Sequence, residues 1–169
     1  MGKMELGRRD AEGARSDAFD LPAPHLIEVM VGPDDIDAYN HVNNAVYVTW
    51  CDRSAWEHSA VLGLPLSRCM ELGRGMAVIR TVIAYLRPAL LDDKVQVATW
   101  LLPAGSRLCV RRRFQLRRVA DDATLARAEI EYACIELSSG RPVRWPAEFR
   151  ERYVSQPEVL AAFGELAPL

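Results

Sequence analysis

Along the chain, apolar positions fall into two periods. "HLIEVMV", residues 25–31, is a short β-branched run between "LPAP" and "GPDD", turn chemistry at both ends, and predicts a first strand. From Asn44 to Leu62 the period changes: Val46, Tyr47, Trp50, Cys51, Ala55, Trp56, Val61 and Leu62 recur three to four apart, which predicts a helix stopped by Gly63 and Pro65. Val48 and Ala60 fall beside the main face, so this helix is expected to be covered on several sides as a core element. After a loop rich in Gly and Arg, Met76 to Leu86 is nearly continuous in β-formers. In "KVQVATWLL", Val95, Val97, Thr99 and Leu101 alternate with Lys94, Gln96, Ala98 and Trp100. These two runs read as neighbours in a hairpin or meander. From Arg107 to Val119, Leu108, Val110, Phe114 and Leu116 share one parity and Arg107, Arg111, Arg113 and Arg117 the other, a half-buried strand with a solvated arginine face. Ala126, Ala128, Ile130, Tyr132 and Cys134 form the buried parity of a last strand, which "SSGRP" breaks.

The order is strand, helix, then four strands. The last links are short and turn-like, which favours one antiparallel meander, with the long helix against it as an α+β layer. Residues 1–20 read as a mobile polar tail, 21–153 as the domain, and 154–169 as an extension that is a short helix or a loose tail.

At 169 residues, half of them apolar, the chain can bury one real core. A formal net charge of -2 supplies no basic field, so neither nucleic acid nor an anionic membrane is an expected partner, and a small molecule is. The arginine run 107–118 does not change this, because its members alternate along a strand. Arg112 is the exception: it shares parity with the apolar residues. Either a β-bulge between Val110 and Phe114 exposes it, or its guanidinium is directed to a partner subunit or to the phosphates of a ligand. Cys51, Cys69, Cys109 and Cys134 lie far apart and read as buried or free thiols in a reducing cytoplasm. Neither a signal-peptide pattern nor a membrane-length apolar run is present.

Phosphate-loop, dinucleotide and G-x-S-x-G patterns are absent, and His25, His41 and His58 have no metal-ligand spacing, so neither a metal nor a cofactor is expected. Chemistry concentrates in "DDIDAYNHVNNAVYVTW", residues 34–50. The residues support two readings. In one, Asn43 or Asn44 caps the helix and the aspartates shape the turn. In the other, a helix-start N–H at Asn44 or its neighbour holds a carbonyl oxygen while Asp37 attacks or activates water. Asp35, a turn aspartate beside Pro33, is assigned a structural role, and the chemistry is placed on Asp37 alone.

"DIDAYNHVNNAVYV" resembles the signature of the hotdog-fold acyl-CoA thioesterases of the 4-hydroxybenzoyl-CoA thioesterase-like group. The resemblance spans about residues 25–150, and "LSSGRPVRWPAEF" is similar to the end of such domains. It implies a hotdog fold, hydrolysis of acyl-CoA to a free acid and coenzyme A, and a homodimer or dimer of dimers. By the same resemblance the working acid falls on Asp37, the carbonyl-polarising N–H on Asn44, and the motif histidine on His41. Asn43, Tyr47, Arg87 and Arg112 are the candidates for substrate contact, with Trp50 and Trp56 as weaker ones. Two departures stand out: Asn40 replaces a common Gly, and Tyr39 replaces the Asn of the plant acyl-carrier-protein enzymes. The rival readings are a hotdog dehydratase acting on acyl thioesters and a non-catalytic acyl-CoA-binding sensor.

Overall fold

The computed structural model describes residues 19–103, 108–166 and 169; the expected tail lies outside these apart from Phe19 and Asp20, as does Arg107. Strand β1 (His25–Met30) leads through a single 3-10 turn (Pro33–Asp35) to helix α1 (Asn44–Val61) and a short helix α2 (Leu66–Glu71). Strands β2 (Arg74–Tyr85), β3 (Lys94–Leu101), β4 (Cys109–Arg118) and β5 (Thr124–Glu136) follow, then helices α3 (Ala147–Arg152) and α4 (Pro157–Phe163). The five strands make one antiparallel sheet with α1 packed on one face, the α+β hotdog architecture expected. Among the described residues no helix is long and apolar enough to cross a membrane, and the four cysteines are free thiols.

Sheet order is β1-β3-β4-β5-β2, so β2 and β3 are not the neighbours that their short link implied. Both edges of β3 are filled, by β1 and β4, while β2 pairs with the long β5 from Arg74↔Glu136 to Tyr85↔Ala126. The link 86–93 crosses between them and is pinned on the way. A bulge at Leu125 frees its carbonyl to accept from the N–H groups of both Leu86 (2.8 Å) and Arg87 (3.1 Å). The Ala89 carbonyl accepts from Val42 N–H at 2.9 Å, which ties the link to the loop before α1.

Three further expectations need correction. α1 buries one face only: Tyr47, Trp50, Cys51, Ser54, Ala55, His58 and Ser59 point inward, while Trp56 and Val61 face outward. Helix α2 stands where a loop is expected, because six residues carry too little periodicity to mark a helix; Pro65 starts it and Cys69 anchors it in the core.

The arginine face of β4 is not solvated. Arg113, Gln115 and Arg117 are buried under Phe19–Pro22 and α4, whose Leu21 and Val159 cluster with Ala98, Trp100 and Leu102. Charge burial is offset by pairing: Arg113 meets Glu129 (2.7 Å), Arg117 meets Asp122 (3.0 Å), and Arg127 meets Asp20 (2.6 Å).

Candidate active site

The loop before α1 is a closed structure built by short polar side chains. Ile36 and Val42 form an antiparallel bridge, and between them Asp37 N–H donates to the His41 carbonyl (2.8 Å). Asn40 N–H donates to the Asp37 carbonyl at 3.0 Å, and Asn40 takes φ 61°, the left-handed conformation in which Asn substitutes well for Gly. Asp37 Oδ1 accepts from Tyr39 N–H (2.8 Å) and from His41 N–H (3.4 Å). The carboxylate is therefore oriented by its own loop and remains half-buried at its surface. Asp35 is spent on structure: its Oδ2 accepts from Gly32 N–H (2.9 Å) and its carbonyl from Asn43 N–H (2.8 Å).

At the helix start the four leading N–H groups lack intrahelical partners. Asn43 is the N-cap, and its Oδ1 accepts from Ala45 N–H at 2.9 Å. Val46 N–H donates to the Asn43 carbonyl at 2.9 Å. The Asn44 N–H has no acceptor among the described residues, and it sits where the helix dipole favours negative charge. Of the donors considered from sequence, the cap thus uses up the neighbour and leaves Asn44. Tyr85, which sequence reasoning passed over as one more β-former, reaches this junction: its hydroxyl donates to the Asn44 carbonyl at 3.0 Å.

Asp37 and His41 therefore belong to one closed loop, with His41 exposed on it, and Asn43 and Asn44 to the helix start that the loop leads into. The other candidates lie elsewhere. Tyr47 is 2% exposed; its hydroxyl accepts from Ala89 N–H (2.8 Å), so the ring fills the core and holds the 86–93 link to α1. Trp50 is buried, whereas Trp56 stands at the rim of a cavity beside α1. Arg87 is exposed just beyond β2.

Arg112 is in the interior. The register from Val110↔Tyr132 to Phe114↔Ala128 is continuous, so no bulge turns it outward. Its guanidinium donates to His58 Nδ1 (2.8 Å) and Ser59 Oγ (2.9 Å) and lies over the Tyr153 ring. Because an arginine donates to Nδ1, the His58 proton resides on Nε2. Burial first, then the Arg112 charge and the stacked His25 ring, push the His58 pKa down to about 3, so this imidazole is neutral. No spacing rule marks His58, Ser59, Tyr132 or Tyr153 in the sequence; only the fold brings them together.

Among the described residues no group of three or more His, Cys, Asp or Glu side chains is placed to hold a metal. Residues 31–153 match the family model described as the thioesterase-like superfamily. The chain is 26% identical over 126 residues to the acyl-CoA thioesterase YbgC of Haemophilus influenzae, covering 74% of this chain and 90% of that one. It is 24% identical over 131 residues to the chloroplastic acyl-acyl carrier protein thioesterase ATL3 of Arabidopsis thaliana, covering 77% and 67%. The fold is similar to that of the hypothetical protein SAV2348 from Staphylococcus aureus, solved in complex with CoA. That match has a TM-score of 0.73 at 18% identity and covers 87% of this chain and 96% of that one. With a matched family model over most of its length and a hotdog sheet around α1, the chain belongs to the thioesterase-like superfamily.

Proposed function

We propose that this protein hydrolyses an acyl-CoA thioester to a free acid and coenzyme A, with Asp37 as the working carboxylate. Two observations carry this reading: an acid oriented by its own closed loop, and an N–H without an acceptor at the helix start that this loop leads into. The thioester carbonyl oxygen accepts from Asn44 N–H, where a developing negative charge is stabilised without rearrangement. The Asp37 carboxylate then takes a proton from water that attacks the carbonyl carbon, or attacks that carbon itself to give a mixed anhydride that water cleaves. Either way the carbon–sulfur bond breaks and the thiolate leaves, to be protonated as coenzyme A. The proton comes from the water consumed, by way of Asp37 or relayed through His41, which is exposed on the same loop. Asn43 keeps its amide N–H groups for the substrate while its oxygen caps the helix, and exposed Arg87 takes a coenzyme phosphate.

Substrate binding in this reading takes place between copies. β2 is an edge strand whose Val78 (52% exposed) and Ile79 (55% exposed) face outward, and α1 leaves Trp56 and Val61 uncovered on its outer face. An edge of this kind invites pairing with a second chain. The assembly is a homodimer or dimer of dimers working in the cytoplasm. The direct test is thiol release from a panel of acyl-CoAs that varies chain length and aromaticity. The reading expects saturable turnover on at least one member, and a panel without thiol release above the uncatalysed rate contradicts it.

A further inference from the structure

Beside α1 lies a cavity of about 40 Å³, bounded by Asp52, Ala55 and Trp56 of the helix and by Val110, Arg112 and Tyr132 of the sheet. Its walls are mostly apolar, yet two buried donors border it. Arg112 is 2% exposed and Tyr132 is 5% exposed. The Tyr132 hydroxyl has no hydrogen-bond partner among the described residues. The partners of Arg112, namely His58, Ser59 and the Tyr153 ring, are all neutral, and no carboxylate lies within 4.0 Å of it among the described residues. The contrast within β4 is direct, because buried Arg113 and Arg117 each have an acid at 2.7 and 3.0 Å. Arginine keeps its charge even where burial opposes it, and its five N–H groups exceed what His58 and Ser59 accept. A buried charge without a counter-charge is strongly unfavourable, and a buried hydroxyl without a partner adds to that.

We propose that this cavity binds the far end of the acyl group and that this end is a carboxylate, held by Arg112 and the Tyr132 hydroxyl. The proposal rests on the thioesterase reading for the identity of the ligand, while the pocket stands on its own geometry. A carboxylate accepts from guanidinium and phenol in one plane, and the apolar walls suit the chain that carries it. A coenzyme phosphate suits a small apolar-walled space less well, being bulkier and more heavily hydrated. Asp52 is exposed at the mouth, where water screens its charge, and the neutral part of the acyl chain passes it. Asn44, Val48, Asp52, Ala55 and Ser59 follow one stripe of α1, with Asp52 about 12 Å and Ser59 about 22 Å along the axis from the helix start. Only chains long enough to cover that stripe reach Arg112 from the Asn44 N–H.

The test uses thioether analogues of acyl-CoA, which cannot be hydrolysed, in a series of increasing length with and without a terminal carboxylate, and reads their dissociation constants by calorimetry on the intact chain. At the best length the carboxylated analogue is expected to bind roughly tenfold tighter or more than the alkyl analogue of equal length, as a charged hydrogen-bonded pair provides. Tyr132→Phe keeps the ring and should shrink that preference several-fold, and Arg112→Met should abolish it. Should Arg112→Met fail to fold, Tyr132→Phe carries the test alone. Equal or weaker binding of the carboxylated analogue at every length overturns the proposal. Thiol release measured in parallel separates the two readings. A protein that prefers the carboxylated thioether but releases no thiol keeps the pocket and loses the hydrolase. One that hydrolyses acyl-CoA without that preference loses the pocket alone.

Discussion

Asn40 carries the turn that closes the Asp37 loop, at φ 61°, with its N–H on the Asp37 carbonyl. A β-branched side chain is strained in that conformation and Gly is not. Asn40→Val should therefore cost about 1–2 kcal/mol of stability, while Asn40→Gly stays within about 1 kcal/mol of the parent. Denaturant unfolding checks both, and equal losses for the two variants would show that the side chain of Asn40 matters rather than its backbone. At this scale the turn and the helix cap were legible in the sequence. Asp37, Asn43 and Asn44 fall within one stretch of eight residues, and its residue types declare a turn and a cap. Arg112 was flagged by parity alone, but its partners His58 and Ser59 lie more than fifty positions away, and only packing joins them.

At the scale of elements, α1 and β4 are joined through that same contact. His58 is neutral in the fold, its pKa pushed from 6.5 down to about 3. Below pH 6.5 the unfolded chain takes up a proton that the folded chain refuses. Stability is thus complete above pH 6.5 and declines as pH falls toward 3, by up to about 1.4 kcal/mol per pH unit. His58→Gln keeps an acceptor for Arg112 and removes the titration, so its stability should fall less steeply than the parent's between pH 6.5 and 4.5. Parallel curves would contradict the buried neutral histidine. Strand and long-helix positions were readable because each element is periodic over many residues. What was missed has a common cause: polar residues placed inside. Ser54, His58 and Ser59 sit on the buried face of α1 and Arg113 and Arg117 under α4, while apolar Val61 and Ile79 lie outside. A pattern that equates apolar with buried misreads both groups. Sheet order was hidden for another reason, since a short turn-like link does not disclose that both edges of β3 are already filled.

For the whole molecule, the outward apolar residues of β2 and α1 argue for an assembly. Sedimentation of the 18.9 kDa chain at micromolar concentration should give two or four times that mass, and Ile79→Lys on the edge strand should shift it toward the single chain. A wild-type monomer would contradict the interface. In the proposed mechanism hydrolysis depends on one carboxylate, and the most direct measurement is the turnover of Asp37→Asn on the best acyl-CoA of the panel, beside wild type. The substitution keeps the oxygen that accepts from Tyr39 N–H and removes the charge. Turnover should fall by at least ~100-fold with the unfolding transition unchanged, as expected when a general base or nucleophile is lost. A folded Asp37→Asn protein that turns over at near the wild-type rate would contradict the mechanism outright.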